Sequence, residues 1–188
     1  MFQINTEDLS YIFEQAAQTV LINNVPSNAI ITNPQMNEDE TRYIHTLDRV
    51  LQGDLILIEG NDYLTVTESI TKRGAKNKSK IQHCNHIIEV AGEVTEVLKG
   101  YDHLGNPVYE TIQGDPVFIP SIVKSGTFNI DNGNGVLVAN DVLFVTVQDN
   151  ATNRSKFAVN KNVIMFGKSY SVQHQDLTRK GLLVLRFK

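Results

Sequence analysis

The chain has 188 residues, 41% of them hydrophobic and 20% charged, with a formal net charge of −4. That length buries a core without staples in one or two domains, and an acidic overall balance leaves any nucleic-acid contact to a local patch. A single cysteine, Cys84, excludes an internal disulfide framework, and no apolar run approaches the roughly 20 residues of a membrane-spanning helix. The polar start MFQINTEDLS does not resemble a signal peptide, so a chain soluble where it is made is expected.

From residue 6 to 17, Leu9, Ile12, Phe13, Ala16 and Ala17 fall three and four apart, which predicts a helix with one apolar face. Asn5 or Thr6 can cap it, with Glu7 and Asp8 in the first turn. A hairpin follows: strand 19–22, turn chemistry in Asn23-Asn24-Val25-Pro26, and a return over 28–32. Residues 33–40 form a polar loop with the acidic cluster Glu38-Asp39-Glu40, either solvated or docking a basic partner. A strand over 42–47 and a helical turn over 48–52 lead to GDLILIEGNDYLTV at 53–66. There Leu55, Ile56, Leu57 and Ile58 are too short a run for a helix. With Gly60-Asn61-Asp62 and then Tyr63, Leu64 and Val66 they predict a hairpin. Val163-Ile164-Met165-Phe166 running into Gly167, Tyr170 and Val172 repeats this pattern, either as a second similar hairpin or as a duplicated unit.

Residues 71–80, TKRGAKNKSK, gather Lys72, Arg73, Lys76, Lys78 and Lys80 around Gly74 and predict an exposed, mobile basic hairpin loop. Its lysines either keep a sheet edge from pairing or meet phosphate or an acidic partner. No aromatic interleaves them, so base stacking is not expected. KIQHCNHIIEV at 80–90 reads as one strand with Cys84, His86 and Ile88 on one face. A His and a Cys two apart fall short of the four ligands of a structural zinc site. Strands over 94–98 and 108–112 flank the turn-rich YDHLGNP, predicting a protruding hairpin, and the prolines of 114–120 demote that segment to an edge strand or extended connection. From Gly126 onward the pattern is β throughout: strand 127–130, turn 131–135, strands 136–138 and 143–147, a polar turn over 149–153 and a buried closing strand over 181–187. The expectation is a mainly β protein, a small β-barrel or sandwich with a short N-terminal helix and long projecting loops. It forms one β-rich domain over 1–188, divisible into 1–92, a projecting arm over 93–125, and 126–188.

Gly53-Asp54, Asp102-His103 and His174 with Asp176 are the acid or imidazole groupings of note, and Asp176 reads as a turn cap. Gly133-Asn134-Gly135 lacks the strand-to-helix setting of a nucleotide loop. No enzyme activity, cofactor or metal is expected.

The run Leu51-Gln52-Gly53-Asp54-Leu55-Ile56, then Tyr63-Leu64-Thr65-Val66, then residues 80–88 resemble, in this order, segments of small structural proteins of tailed bacteriophages. Residues 164–172, followed by Asp176 and Gly181-Leu182-Leu183, are similar to their closing segment. The resemblance implies a neck protein of the head–tail connector, of the head-closure (stopper) or adaptor class. Such a protein is a β-barrel that assembles as a homo-oligomeric ring, hexamer or dodecamer, beneath the portal. Its partners are portal, adaptor and tail proteins, with non-specific contact to packaged DNA and none to membrane; it is made in the host cytoplasm and resides in the virion. On this reading Lys72, Arg73, Lys76, Lys78 and Lys80 face DNA or the portal, and a ring multiplies their charge by its subunit number. An arm over 98–120, with Tyr101, Asp102, Tyr109, Pro116 and Phe118, contacts the neighbouring subunit or an adaptor. The arm and the long C-terminal β region exceed a minimal stopper. That leaves as the alternative a tail or baseplate module binding a partner protein or host glycan.

Overall fold

Three tight turns carry consecutive residues with positive φ: Asn23-Asn24 (48° and 68°), Glu59-Gly60 (50° and 82°) and Phe166-Gly167 (53° and 72°). Two left-handed residues in succession make the turn whose twist matches right-handed strands, so each of these dipeptides founds a hairpin. They belong to a computed structural model that describes residues 11, 13, 15–34, 39–71, 76–126 and 142–188.

The first sheet comprises β1 (Gln18–Ile22), β2 (Val25–Thr32), β3 (Thr41–Thr46), β4 (Leu55–Ile58), β5 (Asn61–Thr65), β6 (Ile70–Thr71) and β7 (Asn77–His83). Its order is β3-β2-β1-β4-β5-β7, and β7 pairs back onto β3, so six strands close a barrel while β6 adds a short edge to β7. Alternate residues point inward, and Val20, Ala29, Ile44, Ile56, Tyr63 and Ile81 fill it.

A second sheet takes β8 (His86–Val90), β11 (Val117–Ser125), β12 (Leu143–Gln148), β13 (Asn162–Met165), β14 (Lys168–Asp176) and β15 (Leu182–Phe187). It runs β13-β14-β15-β12-β11-β8, and its two outer strands, β13 and β8, come close without a ladder between them, so this barrel is nearly closed. Helix α1 (Ala151–Lys156) leads Phe157 into its core, where the ring meets Phe187 edge-on at 6.2 Å. Between β8 and β11 a separate two-stranded sheet, β9 (Val94–Tyr101) and β10 (Pro107–Gln113), leaves the body.

The fold is thus mostly strand, a pair of barrels with one short described helix of known bounds. Tyr11, Phe13, Gln15 and Ala16 are helical, in line with a helix ending near Ala17; its start lies outside the described residues, as do the strands and turn expected over 127–138. Three expectations about local structure need correction. Residues 48–52 form a bend and a turn rather than a helical turn. The strand expected over 80–90 is two: the chain leaves the first barrel after His83 and enters the second at His86. The polar turn over 149–153 is the start of α1, because the Asn150 side chain caps it, accepting from Asn153 N at 2.7 Å. The proline-bearing segment at 114–120 agrees with the expectation: 114–116 connect the arm to β11, and Val117–Pro120 pair with β8 alone because the β12 ladder begins only at Ile122.

The barrels meet backbone to backbone. A Cβ on Gly53 would lie 1.8 Å from Gly181 O, and one on Gly181 would lie 1.9 Å from Gln52 O. Both glycines have positive φ, 91° and 76°. Beside them Leu64, Cys84, Ile122 and Leu182 form a small shared core. Around its edge Arg179 and Gln52 both donate to Val66 O (2.7 and 2.8 Å), Gln148 donates to Asn23 Oδ1 (3.0 Å) and Lys124 pairs with Asp39. At the crossover, Asn85 exchanges two 2.8 Å hydrogen bonds with the backbone of Val123. Alanine at either glycine must push main chain apart as well as adopt a left-handed conformation. Each of Gly53→Ala and Gly181→Ala is expected to cost about 3 kcal/mol or more, read as a lower urea midpoint. A loss below about 1 kcal/mol, the cost of the φ alone, would show that the close contact does not hold the barrels.

Candidate functional site

The arm formed by β9 and β10 is the least buried part of the described chain. From Val94 to Gln113 every strand residue except Gly100 is exposed, and Tyr101 and Leu104 near the tip are 69% and 75% accessible. Its register, Tyr109 opposite Leu98 and Ile112 opposite Thr95, with an irregularity between Val108 and Tyr109, places apolar side chains on both faces. Val94, Leu98, Tyr101 and Tyr109 share one face; Val97, Val108 and Ile112 share the other. A two-stranded ribbon is marginal in water alone, and apolar residues on both of its faces mark an interaction surface.

The arm is stiff at both ends. At its root a Cβ on Gly92 would lie 2.2 Å from Gly114 O, Gly114 N donates to Glu93 O (3.0 Å), and Glu93 reaches Lys156 of α1 at 3.5 Å. At its tip Asp102 accepts from the backbone N–H groups of Leu104 and Asn106, both at 2.8 Å. Hydrogen bonds from Asn106 above all hold the Asp102 carboxyl below the usual carboxylate range. Asp102 therefore shapes the turn, while Tyr101 and Tyr109 present the surface. Pro116 and Phe118, assigned to the arm from sequence, sit on the body: Pro116 precedes β11, and Phe118 points outward from it opposite Glu89.

Beside the arm root, the unclosed edges of β8 and β13 bound a groove of about 770 Å³. Val90, Val94, Lys156, Lys161, Val163 and Ile164 are among its walls, and His86 stacked on Phe166 at 4.5 Å closes one end of the seam.

Of the expected basic loop, Lys72 and Arg73 lie outside the described residues. Lys78 and Lys80 are not in a loop: they belong to β7, on its outer face opposite His45 and Tyr43. Lys78 Nζ lies 3.7 Å from the centre of the Tyr43 ring, and Lys76 immediately precedes the strand. One aromatic ring, Tyr43, thus accompanies Lys78, from a strand too distant in sequence for local reading to find.

Two of the three residues of the acidic cluster, Asp39 and Glu40, are paired within the molecule, and Glu38 lies outside the described residues. Asp39 pairs with Lys124, and Glu40 accepts from Tyr63 Oη (2.6 Å) and Arg42 (3.0 Å) with His83 Nδ1 at 3.7 Å. The Tyr63 hydrogen bond, reinforced by Arg42 and His83, holds the Glu40 carboxyl below its ordinary value. Burial, then the bond to Glu40, pushes the Tyr63 phenol up to about 12. Burial likewise raises the Cys84 thiol to about 12, opposite to the lowering a nucleophilic cysteine requires. Asp54 of the Gly-Asp pair holds Asn23 Nδ2 (2.8 Å) and Leu51 N (2.7 Å), and Asp176 accepts from Thr178 N (2.8 Å), both in structural roles. Among the described residues no His, Cys, Asp and Glu group is arranged to hold a metal, and no helix is long and apolar enough to cross a membrane.

The family model of the YomX C-terminal domain matches residues 2–188. No curated protein and no solved structure matches the chain.

The Glu40–Tyr63 bond sets a pH dependence on both sides of neutrality. Glu40, lowered from 4.5, contributes stability that is present above that value and lost as pH falls through its folded-state pKa. Tyr63, raised from 10 to about 12, contributes stability that is present below pH 10 and lost as pH climbs to about 12. Tyr63→Phe is expected to cost about 1 kcal/mol at neutral pH and to flatten both limbs of the urea midpoint against pH. Parallel curves for the two proteins would show that the bond carries no linkage.

Proposed function

The chain belongs to the family of YomX C-terminal domains, which is phage-derived, and from that premise we propose that it is a virion structural protein of the head–tail connector. It forms a homo-oligomeric ring, hexamer or dodecamer, below the portal, closes the filled head and joins it to the tail, with no chemistry of its own. The observation that carries this reading is the arm, whose exposed apolar side chains would gain burial against another chain. The two barrels supply the rigid body such a ring needs. The outer face of β7 with Lys78 and Lys80 supplies cations that the ring repeats, facing DNA or the portal. Backbone edges, apolar side chains and repeated charge suffice for this task.

Electron microscopy of particles made without this protein tests the reading. Unjoined heads and tails, or heads that have lost their DNA, are expected. Joined particles that keep their DNA but fail to adsorb would overturn it in favour of a tail-associated binding module, with Tyr101 and Tyr109 as its contact residues.

A further inference from the structure

We infer that the outer face of the first barrel around β7 binds the phosphate backbone of duplex DNA without regard to base sequence. The inference deepens the reading above by choosing between the two partners given there to these cations, and it rests on that reading only for where the DNA is met. Residues 69–88 include Lys72, Arg73, Lys76, Lys78 and Lys80 and no carboxylate, in a chain whose net charge is −4. The described part of this run, Lys76 and strand β7, lies against β3, and alternation puts Lys78 and Lys80 on one outer face opposite His45 and Tyr43. Strand β2 extends the face: Thr32 pairs with Tyr43, and the Thr32 hydroxyl meets His45 Nε2 at 3.0 Å. Three ammonium groups, two hydroxyls and an imidazole are thus gathered from three strands, and lysine, threonine and tyrosine are among the side chains that contact phosphate oxygens.

Charge and composition select the partner. The carboxylates at the margins are Asp48, just beyond β3, and Glu68, just before β6; among the described residues neither forms an ion pair with Lys76, Lys78 or Lys80. At the start of β3, Asp39 and Glu40 are already held by Lys124, Arg42 and Tyr63. The Tyr43 ring orients Lys78 without neutralising it, so all three cations are left to an outside anion. Lys78 and Lys80 stand two residues apart on a strand, about 6.8 Å, a step close to that between successive phosphates of one DNA strand. Protein interfaces, by contrast, are poor in lysine and centre on aromatic anchors. Here the lysines are central, and the exposed large apolar residues nearest them, Leu47 and Ile70, stand at the edges of the face. Lys78 Nζ, 3.7 Å from the centre of the Tyr43 ring, occupies a ring face on which an unpaired base would stack, which favours the duplex over a single strand.

Fluorescence anisotropy tests this, with a labelled duplex of about 30 base pairs titrated by the full chain between about 50 and 200 mM salt. The wild-type chain should bind two duplexes of unrelated sequence within about twofold of each other, with an affinity that falls as salt rises. The triple variant Lys76→Gln, Lys78→Gln, Lys80→Gln should bind about tenfold or more weakly at the lower salt. Its salt slope should be smaller by up to about 2.7, or about 0.9 per lost phosphate contact. A control with the same loss of charge elsewhere, Lys99→Gln, Lys180→Gln, Lys188→Gln, should keep the wild-type slope. All six lysines are exposed or half-buried, and unchanged circular dichroism would show both variants folded. Four results would overturn the inference: no binding at the lower salt up to millimolar chain, a site variant that binds like the control, a single strand that binds more tightly than the duplex, or poly-glutamate that displaces the duplex at equal total charge. The last would make the face a dock for an acidic protein. Particles that assemble normally without the protein would refute the neck reading and leave this binding standing, whereas unjoined particles beside a chain that binds no DNA would refute this inference alone.

Discussion

The two barrels are one body because Gly53 and Gly181 allow main chain to touch main chain. A side chain at either position would occupy the space of a carbonyl, so the approach depends on hydrogen as the substituent and on the left-handed φ that glycine takes at little cost. The shared core of Leu64, Cys84, Ile122 and Leu182 is small, and its burial is secured by that contact and by the polar bonds around it. Val66 O is the meeting point, accepting from Gln52 of its own barrel and Arg179 of the other. The order matters for function: a rigid pair of barrels fixes the direction in which the arm leaves, and an arm aimed in a fixed direction loses less freedom on meeting a partner.

The surface shows a division of labour. Two acidic residues before β3 stitch the fold, Asp39 through Lys124 and Glu40 through Tyr63. The cations of β7 are half-buried on its outer face, Lys78 against the Tyr43 ring, and the apolar groups concentrate on the arm and beside the seam. The imidazoles and thiol at the crossover between the barrels occupy packed positions: His83 lies against Tyr63, His86 stacks on Phe166, and Cys84 is buried with its thiol raised.

Sequence reading reached the local features and missed those set by distant contacts. Short alternating runs revealed most strands, and the similarity between residues 53–66 and 163–172 was visible because both hairpins repeat one pattern of apolar run, left-handed dipeptide and a Tyr three residues after the glycine. The arm was legible for the same reason, being a self-contained hairpin. The division of 80–90 was hidden because the alternation continues through Cys84-Asn85; what interrupts the strand there is Asn85 bonding to Val123. Helix α1 was hidden because six residues are too few for a periodicity, and its only local signal is the Asn150 cap. Lys78 and Lys80 were read as loop residues because loop and strand chemistry overlap in a lysine-rich run, and only pairing with β3 separates them. The groove had no sequence signal at all, since it exists only where two strand edges fail to meet.

The arm's place in the topology has an architectural consequence. Strands β8 and β11 are antiparallel neighbours, so β9 and β10 are the drawn-out connection of a single hairpin whose base is held by the barrel. Inserting or deleting matched residues along that ribbon shifts where its tip falls by about 3.4 Å per rung while every core contact stays as it is. Reach is therefore an adjustable dimension of this design: one unaltered chassis can span gaps of different width, with the number of rungs as its gauge.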